Sequence, residues 1–230
     1  MRNSMLILLG LLLTFNLVAQ TNRRSIQLTG SISEKYPIAM TLAIENDTVR
    51  GFYYYEKYKT KIVLEGQVIG TKFILNESSD YEPEFKIGFI GEVTDTSFVG
   101  KWVDKTKDKR LKCELTIASD KQIKVTEDIL QIEGTYEDLF NSEKYLGSVT
   151  LKNILGELFF FEISNGTESG CLGYLKGVVK LIDLQNGIFS TEACKKIEFN
   201  LLDNELILKE DNCDFHGMRC PFEGKYKKSE

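Results

Sequence analysis

Hydrophobic and polar residues alternate along most of the chain beyond residue 25. Side chains at positions i, i+2 and i+4 of a strand lie on one face of the sheet, so this alternation predicts β-strands. Short turn signals separate the strands, among them Asn46-Asp47, Asn186-Gly187 and Asp203-Asn204. The clearest alternating stretches are residues 38–44, 73–75, 111–117, 159–163, 197–201 and 206–208. The pattern therefore predicts an all-β protein built from hairpins.

A glycine between two bulky residues recurs along these strands and accounts for eleven of the 18 glycines. Glycine weakens a strand interior by about 0.5–1 kcal/mol relative to alanine, so its repetition requires a structural reason. A glycine between large inward side chains lets a strand bend sharply, which closed or nearly closed barrels require. The eleven segments are LTGSI (28–32), VRGFY (49–53), LEGQV (64–68), FIGEV (89–93), FVGKW (98–102), IEGTY (132–136), YLGSV (145–149), ILGEL (154–158), CLGYL (171–175), LKGVV (175–179) and FEGKY (222–226).

The strands fall into two sets of about eight, which predict two tandem small antiparallel meander barrels or sandwiches. The first set is assigned to residues 26–118 and the second to residues 131–230, with the polar segment 119–130 as a linker. FVGKW near the end of the first set matches FEGKY at the end of the second. A single larger β-sandwich with chance internal similarity is the alternative.

The first 19 residues are typical of a secretory signal peptide. Arg2 gives a positive start, residues 5–13 form an apolar run, and Ala19 is a small residue suited to cleavage before Gln20. The run is too short for the ~20 apolar residues of a membrane helix, and no later stretch predicts a membrane span. We therefore expect an exported protein, either periplasmic or secreted.

Charge narrows the classes of partner. The chain of 230 residues has a formal net charge of −5 and no basic cluster. Such a chain is poorly suited to nucleic acid or to an anionic lipid surface. The partner expected from the sequence is therefore a protein or a small ligand, and not nucleic acid.

The cysteines predict two disulfides in the second half of the chain, since four of the five cysteines follow residue 170 and an oxidising compartment permits disulfides. Cys194 and Cys213 lie at equal distances from the turn at 203–204, so they face each other at the separation a disulfide requires. We predict Cys194–Cys213 and, by elimination, Cys171–Cys220. The rival pairing joins Cys213 to Cys220 and Cys171 to Cys194.

Metal and catalytic chemistry have weak support in the sequence. Cys213, His216 and Cys220 have the spacing of a short zinc knuckle, but the oxidising compartment and the hairpin register favour disulfides. His216 is the only histidine, so any histidine-based catalysis depends on it. Cys113 alternates with hydrophobic residues and is predicted to be a buried free thiol. No nucleophile elbow or phosphate-binding glycine loop is present. We predict no catalytic residue, no metal and no cofactor.

The segment GFYYYEKYK (51–59) contains five aromatic rings and is the strongest candidate for a binding surface. The glycine pattern assigns Tyr53 and Tyr55 to the inward face, which leaves Phe52 and Tyr54 outward and Tyr58 in the following turn. We predict Phe52, Tyr54 and Tyr58 as ligand-binding residues that stack on a sugar or a peptide. Packing of the outward rings against the second domain is the alternative.

The C-terminal half contains a cysteine, an alternating strand, a turn, a second cysteine, a glycine loop and a final Phe-x-Gly-x-Tyr strand. The residues of this pattern are Cys194, Phe199, Cys213, Gly217, Phe222, Gly224 and Tyr226. The pattern resembles a module of small exported Bacteroidota-type proteins that have no known activity. The segment 36–58 is similar to another exported segment of the same lineage. The resemblance implies export and β architecture, and it implies no site residue.

Together these features predict an exported, non-catalytic binding or interaction protein of the bacterial cell envelope. An inhibitor of an envelope hydrolase such as a lysozyme is one alternative, because a small acidic β protein complements a basic enzyme cleft. A lipocalin-like carrier of a small apolar ligand is another. The Gly100-Lys101-Trp102 segment resembles the lipocalin Gly-x-Trp motif, although it lies late in its domain.

Overall fold

The computed structural model describes residues 22–77 and 84–229, and their regular secondary structure is almost entirely β-strand. The first eight strands are β1 (Asn22–Ile32), β2 (Tyr36–Glu45), β3 (Thr48–Tyr55), β4 (Ile62–Ile69), β5 (Lys72–Asn76), β6 (Ile87–Val93), β7 (Ser97–Asp104) and β8 (Lys109–Lys124). Helix α1 (Glu127–Ile132) follows. The second eight strands are β9 (Gly134–Asp138), β10 (Tyr145–Leu155), β11 (Leu158–Thr167), β12 (Leu172–Ile182), β13 (Asn186–Thr191), β14 (Cys194–Leu202), β15 (Glu205–Cys213) and β16 (Gly224–Lys228).

Both sets of strands close on themselves. Each strand is antiparallel to the next, and the first strand of each set also pairs with the last, β1 with β8 and β9 with β16. We call the two closed sheets barrel 1 (β1–β8) and barrel 2 (β9–β16). The predicted all-β fold with two tandem meander barrels is confirmed.

The inward faces of the strands fill both barrels with large side chains. Most of the alternating positions predicted from the sequence are buried, as in β2, where Ile38, Met40 and Leu42 are at most 2% exposed. Eight strands enclose a space that side chains can fill, and here aromatic rings fill it. The largest fully buried rings are Tyr53, Phe73, Phe89 and Phe98 in barrel 1 and Tyr136, Phe159, Phe161, Phe199, Phe222 and Tyr226 in barrel 2.

Ten of the eleven patterned glycines lie within strands. At five of them an added Cβ would lie under 3.0 Å from the backbone of a neighbouring strand, namely Gly30, Gly51, Gly66, Gly91 and Gly100. Gly91 on β6 faces Gly100 on β7, and a Cβ added to Gly91 would lie 2.6 Å from the Val99 carbonyl oxygen. Only glycine fits this approach, which supports the predicted role in strand curvature. Gly156 is the exception. It lies in the turn between β10 and β11 with φ of 55°, so the strand predicted over residues 154–158 is wrong.

The barrels pack side by side through an apolar patch. The outward faces of β2, β3 and β4 meet the outward faces of β10, β11 and β12. Phe52 at 4% exposure and Phe160 at 1% exposure lie in this contact, although each points out of its own barrel. The buried members of the patch are Ala43, Phe52, Val63, Ile154, Phe160 and Val178.

A buried ion pair joins the barrels beside this patch. The Arg23 guanidinium on β1 donates from Nη1 to Glu133 Oε1 at 2.7 Å and from Nη2 to Glu133 Oε2 at 3.1 Å. Arg23 also donates to the Asn153 carbonyl oxygen and to Glu45, while Glu133 Oε1 accepts the Asn153 backbone N–H at 2.6 Å. The side chains of Arg23 and Glu133 are 3% and 6% exposed. Desolvation by burial alone would lower the pKa of Arg23, but the hydrogen bonds it donates to the two carboxylates and their negative charge raise that pKa overall.

The segment between the two predicted domains differs from the sequence-based prediction. Residues 119–124 continue β8 and pair with residues 22–27 of β1, and residues 127–132 form α1, so the segment 119–130 is not an irregular linker. Its first part is polar although its backbone pairs with β1, because most of its side chains face solvent, as in the Arg24–Asp120 ion pair. FVGKW lies on β7, and FEGKY ends in β16.

The predicted signal peptide, residues 1–19, lies outside the described residues. Within residues 22–77 and 84–229, no helix has the length and apolar character that crossing a membrane requires.

Candidate functional site

One end of barrel 1 opens into a cavity of about 440 Å³, which we call the mouth. The end of β1, the start of β2, the end of β3 with its following turn, and parts of β7 and β8 form its wall. The volume lies within the range of small-ligand pockets. The lining residues are Ile32, Lys35, Tyr36, Pro37, Tyr55, Glu56, Lys57, Tyr58, Trp102, Lys109 and Leu111.

Four aromatic rings line the mouth at strand ends. Tyr36 and Tyr55 meet edge to face, with ring centroids 6.5 Å apart. Tyr36 is 40% exposed and Tyr58 is 66% exposed, whereas Tyr55 and Trp102 are partly buried in the wall. Below them, the ring of Tyr53 lies 5.6 Å from that of Tyr55 and belongs to the buried interior. The mouth is therefore a cavity lined by aromatic rings, and the barrel interior beneath it is filled by side chains.

The carboxyl group of Glu77 fixes the orientation of the Trp102 indole. Glu77 Oε1 accepts the Trp102 Nε1–H at 2.6 Å and the Tyr53 hydroxyl at 2.7 Å. Burial raises the pKa of the Glu77 carboxyl, although the two donors act in the opposite direction. Burial and the neighbouring carboxyl likewise raise the pKa of Tyr53. These bonds hold one ring of the mouth and one ring of the interior in fixed orientations.

The rim of the mouth carries positive charge, although the whole chain is acidic. Lys35, Lys57 and Lys109 line it, and Glu56 is the one carboxylate among the described lining residues. Lys59 already forms an ion pair with Glu56. None of the three lining lysines has a carboxylate within ion-pair distance in the described part of the chain. Their charge is thus available to an anion in the mouth.

A scan against protein-family models finds no match, and neither the curated proteins nor the solved structures yield one. The site must be interpreted from its own chemistry.

The structure separates the three residues predicted to bind a ligand. Tyr58 lines the mouth. Phe52 lies buried between the barrels and Tyr54 packs beside it, with ring centroids 6.5 Å apart. Phe52 is therefore inaccessible to a ligand. Phe52 and Tyr54 both follow the alternative prediction, in which the outward rings pack against the second domain.

The cysteines form the disulfides Cys194–Cys213 and Cys171–Cys220, which is the pairing that the hairpin register favours over its rival. Cys194 and Cys213 face each other across β14 and β15. Cys113 is a buried free thiol in barrel 1, and burial raises its pKa to about 12. It therefore stays protonated near neutral pH and is a poor nucleophile.

His216 takes part in a loop contact. Its Nε2 lies 2.8 Å from Glu210 Oε1 and its Nδ1 lies 2.9 Å from the Gly217 carbonyl oxygen. Glu210 Oε2 in turn accepts the Phe222 backbone N–H at 3.0 Å. No cluster of three or more His, Cys, Asp or Glu side chains suited to a metal occurs among residues 22–77 and 84–229. The arrangement fixes the loop before β16 onto β15.

Two larger grooves run over the outer wall of barrel 2. One of about 630 Å³ crosses β12–β15 and includes the exposed Ile182 and Ile188, and one of about 550 Å³ lies between Leu146 and Leu172. Among the described residues, the lining of the first groove contains one aromatic ring, Phe199, which is only 1% exposed. The lining of the second groove contains one aromatic ring, Tyr174. The mouth has four rings and three lysines that lack an ion-pair partner among the described residues, so it is the stronger candidate for recognition of a small molecule.

Sequence reasoning missed most of the mouth. Tyr36, Tyr55, Trp102 and Leu111 lie on inward faces, and alternation assigned Tyr55 to the core. The available signal was their place at the ends of strands. An inward residue at a barrel end borders the opening and is covered only from below. A residue that points inward and lies close to a strand end can therefore be predicted to line the opening of the barrel, and this rule would have identified Tyr36, Tyr55 and Trp102.

Proposed function

We propose that this chain is an exported, non-catalytic binding protein of the cell envelope, and that the mouth of barrel 1 is its ligand site. One observation carries the proposal: four aromatic rings line an open cavity of about 440 Å³ at the end of a filled barrel. Exposed rings that converge on one cavity favour stacking against an apolar ligand. The two disulfides suit an oxidising compartment, which supports export.

The filled interiors alter the carrier hypothesis. A lipocalin-like carrier holds its ligand deep inside the barrel, whereas Tyr53, Phe89 and Phe98 occupy the interior of barrel 1 here. The ligand in our proposal therefore binds above these rings, at the level of Tyr55 and Trp102. A binding role needs no reacting group, and the mouth offers rings, aliphatic side chains and ammonium groups.

The only tryptophan of the chain, Trp102, lines the mouth and reports directly on binding. We expect two fluorescent probes, the neutral N-phenyl-1-naphthylamine and the anionic 1-anilinonaphthalene-8-sulfonate, to quench Trp102 emission by energy transfer in a saturable way. Tyr58→Ala removes a ring that is 66% exposed and should weaken binding by about tenfold, because one stacked ring contributes roughly 1–1.5 kcal/mol.

The matched control is Phe140→Ala, which removes a ring that is 78% exposed on barrel 2. It should leave probe binding unchanged. The proposal fails if neither probe affects Trp102 emission in the folded protein, or if Phe140→Ala and Tyr58→Ala weaken binding equally.

A further inference from the structure

We infer that the mouth selects small anionic molecules that combine a planar apolar body with an acidic group. This inference rests on the proposed function and adds the ligand class to it.

Two lysine ammonium groups contact aromatic rings that line the mouth. Lys35 Nζ lies 5.4 Å from the centroid of the Tyr36 ring, and Lys57 Nζ lies 5.1 Å from the centroid of the Tyr58 ring. Cation–π contacts of this kind keep an ammonium group close to an aromatic surface. Each of the two ammonium groups therefore lies over one face of a ring that lines the mouth.

The third charge comes from another strand of the same wall. Lys109 begins β8, whereas Lys35 precedes β2 and Lys57 follows β3, so the three lysines lie at three different positions in the lining of the mouth. Lys59 pairs with Glu56 and so compensates the one negative charge of the described lining. An acidic group at the opening would meet three ammonium groups, and a cationic group would be repelled by them.

The apolar part of the cavity indicates the shape of the body. Below the rim, Tyr55 and Trp102 present rings, and Ile32 and Leu111 present aliphatic side chains. Because Glu77 fixes the orientation of the indole, the wall at Trp102 is rigid and flat. A flat rigid wall favours a planar body over a flexible chain, which loses more conformational freedom on binding.

The test compares the two probes on the intact protein. We expect 1-anilinonaphthalene-8-sulfonate to bind at least about tenfold more tightly than N-phenyl-1-naphthylamine, with an advantage that shrinks at high salt. The combined variant Lys35→Gln/Lys57→Gln/Lys109→Gln should lose about tenfold in affinity for the anionic probe, since each exposed charge contributes modestly. Its affinity for the neutral probe should change by less than about twofold.

Lys180→Gln/Lys209→Gln is the matched control, because these two lysines line the outer groove of barrel 2. It should leave the anionic probe bound as in the parent protein. Displacement of the probe by 1-naphthoate and by laurate separates a planar acid from an aliphatic one, and we expect 1-naphthoate to be the stronger competitor.

Equal affinity for the two probes, or an unaffected anionic probe in the triple variant, would overturn the inference and leave the proposed binding function standing. Stronger displacement by laurate would overturn the assignment of a planar body. Absence of any response from Trp102 would instead refute the proposed function itself.

Discussion

The ion pair between Arg23 and Glu133 gives the sharpest prediction about stability. Arg23→Met replaces the guanidinium with an apolar side chain of similar length. The Glu133 carboxylate then stays buried without its cation. Four hydrogen bonds from the guanidinium disappear, two of them to Glu133. Loss of one partner of a buried ion pair costs about 3–5 kcal/mol, mainly because the remaining charge is uncompensated.

A second variant tests that cause. Glu133→Gln removes the charge while its amide oxygen still accepts the Asn153 backbone N–H. Arg23→Met/Glu133→Gln should therefore be more stable than Arg23→Met alone by at least about 1.5 kcal/mol. Arg24→Met is the matched control, because Arg24 is the next residue on β1 and the side chains of its ion pair with Asp120 are 38% and 31% exposed, against 3% and 6% for Arg23 and Glu133. It should cost no more than about 1 kcal/mol.

The measurement is urea unfolding followed both by Trp102 fluorescence, which reports on barrel 1, and by far-ultraviolet circular dichroism, which reports on both barrels. Because Arg23 belongs to barrel 1 and Glu133 precedes barrel 2, we expect both signals to shift in Arg23→Met. The reasoning is refuted if Arg23→Met costs less than about 1 kcal/mol, or if the double variant is no more stable than the single one.

Three further predictions concern the mouth, the disulfides and the glycines. Because burial raises the pKa of Glu77, the stability contributed by its protonated form is complete below the ordinary glutamate value of about 4.3 and is lost as pH rises through the raised value. Glu77→Gln should match the parent melting temperature near about pH 4 and exceed it near about pH 8, and the same difference at both would contradict this. Serine at Cys194 and Cys213 should lower the free energy of unfolding measured by circular dichroism by about 3 kcal/mol, since the disulfide spans 19 residues; an unchanged urea midpoint would disprove it. Gly91→Ala should cost about 1–3 kcal/mol in urea unfolding, whereas Gly166→Ala, whose added Cβ meets nothing nearer than 3.5 Å, should be neutral, and the reverse order would show that close approach is not the reason for Gly91.

Local patterns in the sequence determine much of this fold. Alternation identifies the inward residues because a strand has a period of two, and a hairpin turn fixes which residues face each other. The facing of Cys194 and Cys213 could be predicted for that reason. The glycine pattern predicted the curved strands of a closed barrel, but it was wrong at Gly156. A turn glycine between two bulky residues has the same local sequence as a glycine within a strand.

Contacts between distant segments could not be predicted. Arg23 and Glu133 are 110 residues apart, and no local pattern connects them. Alternation shows that Phe52 points outward, but it does not show that the outward face meets barrel 2. The mouth is hidden for a related reason. Tyr55 follows the inward pattern of the core, and only the three-dimensional position of the strand end shows that it borders an opening.

Barrel closure sets the order in which this molecule can be completed. Asn22 on β1 pairs with Lys124 on β8, so the first strand keeps one edge unsatisfied until about a hundred later residues have been made. Barrel 2 has the same dependence, because Lys228 on β16 pairs with Tyr136 on β9. A partly synthesised chain thus exposes unpaired strand edges that can pair with other chains. We therefore expect aggregation to compete with folding until the last strand of each barrel is added.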